Sequence, residues 1–339
     1  MSPTTALQVR HLATPGSVLT FLAMLDGSAG SAGSAGSDGS DAAEAACTAI
    51  CATIRATIRA VVEDTGDTNG TPFYRMTTNG VGLDADFLSY ATSRHIAVTF
   101  AWDGVGSLQK AELLLRHQPY AAATLTVTPE TLPHFADNVK TLYGMGFRYL
   151  YTAMDPGRPW ESAHLPQLKR QYRALSSFYR EKSRREEKLY LSPFDEKIAD
   201  RIRQRPIQCT LGQHRVSVMP DGKLYPCTAL CEDAYCIGDV THGIDTAKRE
   251  QLCAANEQEA AECVGCAIQD RCVHHCACIN KCATGSITRP SPFQCAHERI
   301  LLPIADSLAE RLYHERNALF MQKHYNALYP TLSLAEDTE

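Results

Sequence analysis

The chain has 339 residues, 44% of them hydrophobic and 21% charged, with a formal net charge of −5. That length can bury one large core or two ordinary ones, and the acidic balance disfavours a nucleic-acid partner. The longest apolar run near the N-terminus, Val18 to Leu25, is far short of a membrane span and lacks the basic flank and small-residue cleavage site of a secretory signal. A soluble, cytoplasmic protein with no membrane partner is expected.

In chain order, residues 1–41 should hold one strand, Val18 to Leu25, and then a flexible linker, because the Gly/Ser/Ala repeat from Asp26 to Asp41 buries nothing. Ala42 to Glu63 has helix composition, with Cys47, Ile50, Cys51, Ile54, Ile58 and Val61 on one face. Cys47 and Cys51 are therefore read as small core residues. From there strands and helices alternate through residue 205. Strands are expected at Phe73–Thr77, Ile96–Ala101, Ala122–Val127 and Tyr149–Ala153. Helices are expected at Asp84–Arg94, Leu108–His117, Leu132–Met145 and Gln167–Lys188. Such alternation implies right-handed crossovers and a parallel sheet. Function in such a sheet sits at the C-terminal strand ends, here Thr77–Gly80, Trp102–Gly104, Thr128–Pro129 and Met154–Pro156. Asp103, Tyr151 and Asp155 are candidate general bases at that mouth. Last, Arg299 to Gln322 reads as a helical run interrupted early by Pro303 and packed back on the main body.

The cysteines carry the strongest signal. There are fourteen, and all but Cys47 and Cys51 fall between Cys209 and Cys295. A long chain with its own core and no secretory signal favours reduced thiolates over a disulfide scaffold. Cys209-x12-Gly222-x4-Cys227 spans a predicted β-hairpin turning at Pro220-Asp221-Gly222, so its two ends can share a site. Cys263-x2-Cys266-x5-Cys272-x3-Cys276 follows, and then an isolated Cys295. These seven exceed one tetrahedral site and fall one short of two. Cys231, Cys236, Cys253, Cys278 or Cys282 could supply the eighth ligand, or one position could stay open. Zinc is an alternative, with His274, His275 and His297 on hand, whereas thiolate-only ligation leans toward iron–sulfur clusters. His274 and His275 are expected to be exposed or to donate around a site rather than bind metal.

This order of cysteines resembles the SPASM domain of radical S-adenosylmethionine enzymes. The Cys276-Ala-Cys-Ile-Asn280 and Cys295-Ala-His-Glu-Arg299 stretches resemble its peptide-maturase branch. The resemblance implies an α/β fold: a partial, truncated TIM-like parallel barrel (42–205), a SPASM iron–sulfur domain (206–298), and a C-terminal helix and tail (299–339). It also implies two auxiliary 4Fe-4S clusters. Cys209, Cys227 and Cys276 would bind the first, with Cys231 or Cys236 as fourth ligand or none. Cys263, Cys266, Cys272 and Cys295 would bind the second. Upstream, Met76-Thr-Thr-Asn-Gly80 and Val98-Thr-Phe-Ala-Trp-Asp-Gly104 resemble strand ends that line the family's S-adenosylmethionine pocket, which would make Asn79, Gly80 and Asp103 cofactor-side residues. Asn-Gly and Asp-Gly are also ordinary turn formers.

One departure is decisive for expectation. The family's CxxxCxxC, whose three thiolates leave an iron free for S-adenosylmethionine, is not in this sequence. Cys47-x3-Cys51 has Ile54 where the third cysteine would stand, and Asp26-Gly-Ser replaces the family's Gly-Gly-Glu-Pro. The expected role is an auxiliary-cluster, electron-transfer or peptide-binding partner of a complete radical enzyme, with a ribosomal precursor peptide as partner, or a catalytically degenerate homologue. An active maturase with an unrecognised S-adenosylmethionine site and a zinc-stabilised interaction module are the alternatives.

Overall fold

The computed structural model describes residues 8, 18–23, 52–63, 73–203, 209 and 211–329. The Gly/Ser/Ala repeat, Cys47 and Cys51 lie outside the described residues.

Six strands form one sheet in chain order: β1 (Val18–Ala23), β2 (Phe73–Thr78), β3 (Ala97–Trp102), β4 (Ala122–Val127), β5 (Tyr149–Met154) and β6 (Tyr190–Leu191). Every neighbouring pair is parallel. The helices between them are α1 (within residues 52–63), α2 (Ala85–Ser93), α3 (Gln109–His117), α4 (Phe135–Met145) and α5 (Leu165–Arg184). Local chemistry sets their ends. Asp84 caps α2 by accepting the Phe87 N–H at 2.8 Å, and Gly146, at φ 124°, closes α4.

Strand order that follows chain order, with right-handed crossovers, puts the helices on one face of the sheet. Burial follows this. Tyr74, Met76, Val98, Phe100, Ala123, Leu125 and Val127 are buried against the helices. The alternate residues Thr77, Thr99, Ala101, Thr124 and Thr126 are only half-buried. The second face is thus partly polar and open, with small residues at its centre and Phe73, Arg75 and Tyr151 toward its sides, as in a barrel that does not close.

Two elements at the end of the alternating strand–helix region were not anticipated: the short edge strand β6 and helix α6 (Ser192–Arg203). The charged helix α5 stops at Arg184 rather than Lys188, because Glu186 turns into left-handed backbone at φ 55° and redirects the chain into β6.

The cysteine-rich segment is built from small pieces. Hairpin strands β7 (Ser217–Val218) and β8 (Leu224–Tyr225) pair around Pro220-Asp221-Gly222 as expected. Strands β9 (Gly238–Asp239) and β10 (Gly243–Ile244), helix α7 (Thr246–Asn256) and helix α8 (Ala277–Thr284) complete it. Its apolar cluster has only Leu211, Leu230 and Ala277 fully inside.

Helix α9 (Pro292–His314) then returns to the main core, followed by α10 (Ala318–Tyr325). The interruption expected at Pro303 does not occur. Pro303 faces outward, so the carbonyl one turn earlier, deprived of its partner, can bond water. The helix also runs across the expected boundary at 298/299. Leu301, Ala305, Leu308 and Leu312 bury one stripe of it in the barrel core.

Two buried polar clusters fix α9 and α10. Lys197 on α6 pairs with Glu298 on α9 at 2.8 Å, with only 7% and 2% of the side chains exposed. Tyr172 meets His297 at 2.7 Å. Asp195 accepts from the Tyr179 hydroxyl (2.7 Å) and the Leu191 N–H (2.6 Å), and pairs with Lys323 at 2.6 Å. Among the described residues no helix is long and apolar enough to cross a membrane.

Burial pushes the Glu298 carboxyl up, but His297 and Lys197 outweigh this and hold it below the usual range. Its stabilising contribution is therefore complete above the unfolded carboxylate value and is lost as pH falls through the lower folded value. Lys197→Met, which strands the Glu298 charge, will cost about 3–5 kcal/mol in urea unfolding. The double change Lys197→Met/Glu298→Leu will recover most of that loss. Equal losses in the single and double variants would contradict the pairing.

Candidate metal centres

All twelve cysteines from Cys209 to Cys295 are free thiols. Two of them meet, and two more act on that pair. The hairpin carries Cys227 to the region of Cys209, and the start of α8 brings Cys276 as its cap residue and Cys278 two residues further. Cys276 and Cys278 sulfurs stand 3.3 Å apart. Cys209 acts on the ionisation of Cys276, and Cys227 on that of Cys278. Contacts from Cys209 and Cys278 hold the Cys276 thiol well below its usual range, and Cys278 does the same to Cys227. The donors are pushed up in turn, chiefly by the same contacts. Four half-buried thiols that cannot all ionise side by side are a donor set that a cation would relieve.

The thiols expected in the second group differ in exposure. Cys263 and Cys272 are buried and Cys266 and Cys295 half-buried. Burial raises the Cys263 thiol, with Cys295 and Cys266 adding to the effect. Burial pushes Cys272 up to about 12, and Glu298 and Cys295 act in the same direction. Arg299 donates to the Cys266 sulfur at 3.4 Å. Cys295 reaches this group because α9 starts early, at Pro292. Among the described residues, no three Cys, His, Asp or Glu side chains form a converged single-ion site.

Other expected donors go elsewhere. Cys231 points its sulfur at the Thr228 carbonyl (3.2 Å) and Cys236 at the Gly238 carbonyl (3.3 Å), so the structure does not bring either into the first group. Cys278 stands there instead. The available signal was the Cys276-Ala-Cys278 spacing at a helix start. His274 is buried, at 5% exposure, against the expectation of an exposed ring, and its Nε2 has no hydrogen-bond partner. His297 is committed to Tyr172. Asn280 donates to the carbonyls of His274 (2.8 Å) and Ile287 (3.2 Å), and so clamps the loop joining the two groups.

Asn79, Gly80 and Asp103 do lie at adjacent strand ends, just past β2 and β3. Each has a local task. Asn79 accepts the Val81 N–H at 3.4 Å. Asp103 accepts the Val105 and Gly106 N–H groups, both at 2.9 Å. Gly80 sits at φ +86°, with Lys110 Cβ only 2.7 Å from where its own Cβ would stand. Asp155 likewise accepts from Gly157 (2.9 Å), and burial pushes the Tyr151 phenol up, so it keeps its proton near neutral pH.

A cavity of about 540 Å³ lies between the β5 end and the cysteine segment, lined by Met154, Arg158, Trp160, Ile279, Cys282 and Phe293 among others. Trp160 and Phe293 stack across it with ring centres 4.7 Å apart.

The fold is shared with solved structures. The chain matches a structure of native anSMEcpe with bound AdoMet and Cp18Cys peptide at a TM-score of 0.64 and 14% identity, covering 92% of this chain and 90% of that one. It matches native anSMEcpe with bound AdoMet alone at 0.64 and 13%, covering 92% and 89%. A tagged form with bound AdoMet gives 0.63 and 14%, covering 95% and 88%. No family model matches the chain, and no curated protein sequence does.

Gly80→Ala will lower stability by about 1–3 kcal/mol, since it forces a side chain into left-handed backbone and against Lys110. A thermal or urea melt unchanged within error would show that the strand end is not held this way.

Proposed function

We propose that this chain is a SPASM-type iron–sulfur protein related to radical S-adenosylmethionine peptide maturases, with the cluster-holding half kept and the radical-generating site lost. It acts as an auxiliary-cluster, electron-transfer or peptide-binding partner of a complete radical enzyme, or is a degenerate homologue of one. The observation that carries this reading is the set of twelve free thiols in the cysteine segment, with the Cys276 and Cys278 sulfurs 3.3 Å apart in one place and Cys266 beside Arg299 of α9 in another. The shared fold with anSMEcpe supports it. Cys209, Cys227 and Cys276 would hold one cluster, and Cys263, Cys266, Cys272 and Cys295 the other. Bound clusters of this kind supply one-electron transfer at potentials set by hydrogen bonds and burial. Arg299 on Cys266 and the Lys197–Glu298 pair beside Cys272 are the chain's own means of setting them.

The sequence carries no CxxxCxxC. Without a third thiolate there is no differentiated iron to chelate S-adenosylmethionine, and a protein scaffold cannot replace that chemistry. A precursor peptide would be met in the cavity between the β5 end and Cys282, where the Trp160–Phe293 stack offers apolar surface and Arg158 a charge.

A zinc centre is the second reading, favoured by the 3.3 Å sulfur contact. Tetrahedral zinc with Zn–S of about 2.3 Å sets its sulfurs about 3.8 Å apart.

Protein purified without oxygen will absorb broadly near about 400 nm and carry roughly eight irons with matching sulfide. Given S-adenosylmethionine and dithionite, it will form no 5′-deoxyadenosine. Colourless protein with stoichiometric zinc would favour the second reading. Release of 5′-deoxyadenosine would overturn the loss of the radical site.

A further inference from the structure

The seven-cysteine pattern leaves the first centre with three ligands, and five further thiols lie close in sequence. Their side chains separate them. Cys231 is turned to the Thr228 and Cys227 carbonyls at 3.2 and 3.6 Å. Cys236 is turned to the Gly238 carbonyl at 3.3 Å. Cys253 is buried against the Leu211 carbonyl at 3.3 Å. Cys282 is exposed and lines the cavity beside Met154 and Trp160. Cys278 alone among the five has a sulfur within contact distance, that of Cys276 at 3.3 Å.

We infer that Cys278 is the fourth ligand of the centre formed by Cys209, Cys227 and Cys276, so that this centre is fully ligated by the chain and keeps no open position. The inference rests on the metal-binding reading above. The fold explains why this residue serves. Cys276 caps α8 and Cys278 is the second residue inside it, so both sulfurs gather at one helix start, where the positive end of the helix dipole favours thiolates. Asn280, 1% exposed, fixes the same turn by bonding the His274 and Ile287 carbonyls. The ligands then come from three segments: the residues before the hairpin, the hairpin's end and α8. Binding metal there would join three pieces whose shared apolar core is Leu211, Leu230 and Ala277. A centre closed on four thiolates is suited to electron transfer or to holding the fold. It offers no site for an incoming ligand.

The test uses the full chain purified without oxygen. Wild type, Cys278→Ser, Cys231→Ser and Cys236→Ser are compared for metal and sulfide per chain and for the electron paramagnetic resonance signal after dithionite reduction. Cys278→Ser is expected to lose about half of the bound metal, or to keep it with one of two signals changed, while the other two variants match wild type. Alkylation of metal-loaded wild type, mapped by mass spectrometry, decides the matter even if Cys278→Ser fails to fold. Cys278 should be protected together with Cys209, Cys227 and Cys276, while Cys282 is labelled. Labelling of Cys278 as fast as Cys282 in metal-loaded protein, or a Cys278→Ser variant with wild-type metal and signals, overturns the assignment alone. Wild type that binds neither iron nor zinc overturns the assignment and the proposed function together.

Discussion

The buried pair between Lys197 and Glu298 is the point on which the architecture turns. Lys197 projects from α6 on the barrel and Glu298 from α9. The Lys197 ammonium also donates to the carbonyl of Arg271, at 3.2 Å, in the loop that leads into Cys272. Arg271 returns the contact, donating to the Lys197 carbonyl (3.3 Å) and to both oxygens of Asp306 on α9, each at 2.8 Å. Two charges taken out of water are tolerated only when they are held against each other. Here that requirement fixes barrel, cysteine loop and returning helix together. Because α9 is one unbroken rod, fixing Glu298 also fixes Cys295 less than one turn away.

The cysteine segment would be a poor folding unit by itself. Its regular structure is four two-residue strands, two short helices and a few 3-10 turns, and few apolar side chains, among them Leu211, Leu224, Leu230, Ile237 and Ala277, are fully buried in it. So small a core does not offset the entropy of ordering this much chain. What it has in place of apolar area is thiols. In such segments the free energy of metal binding is folding free energy. The paired sulfurs around Cys276 and the thiols around Cys263 are where that energy would enter. The same logic explains Asn280, which fixes the loop between the groups through carbonyls rather than through packing.

The barrel end reads differently. Its strand ends are intact as structure: Asp103 and Asp155 fold their own loops, and Gly80 allows the close approach of Lys110. The open face of the sheet offers threonines and alanines, with Arg75, Tyr151 and Tyr190 at one side, where the two tyrosine rings stand 5.2 Å apart. The strand ends thus keep the shape of a mouth beside an aromatic cavity.

Alternation of apolar runs located β2 to β5 and the helices between them to within one to three residues, since each depends on its own chain segment. The hairpin between Cys209 and Cys227 was likewise readable from its Pro-Asp-Gly turn, because a short loop closes on itself. The sequence did not disclose β6, the continuity of α9 through Pro303 or the burial of His274. Those follow from what lies on the outer side of each residue: water at Pro303, packed chain at His274. The resemblance pointed to Cys231 and Cys236 and left Cys278 unassigned, and the sequence did not disclose that the Cys278 sulfur meets that of Cys276. By itself the sequence determined which residue types are present and at what spacing, so it determined the chemistry available. Only the tertiary structure decided which thiols meet, because convergence depends on the path of three distant segments, and no local periodicity records that path.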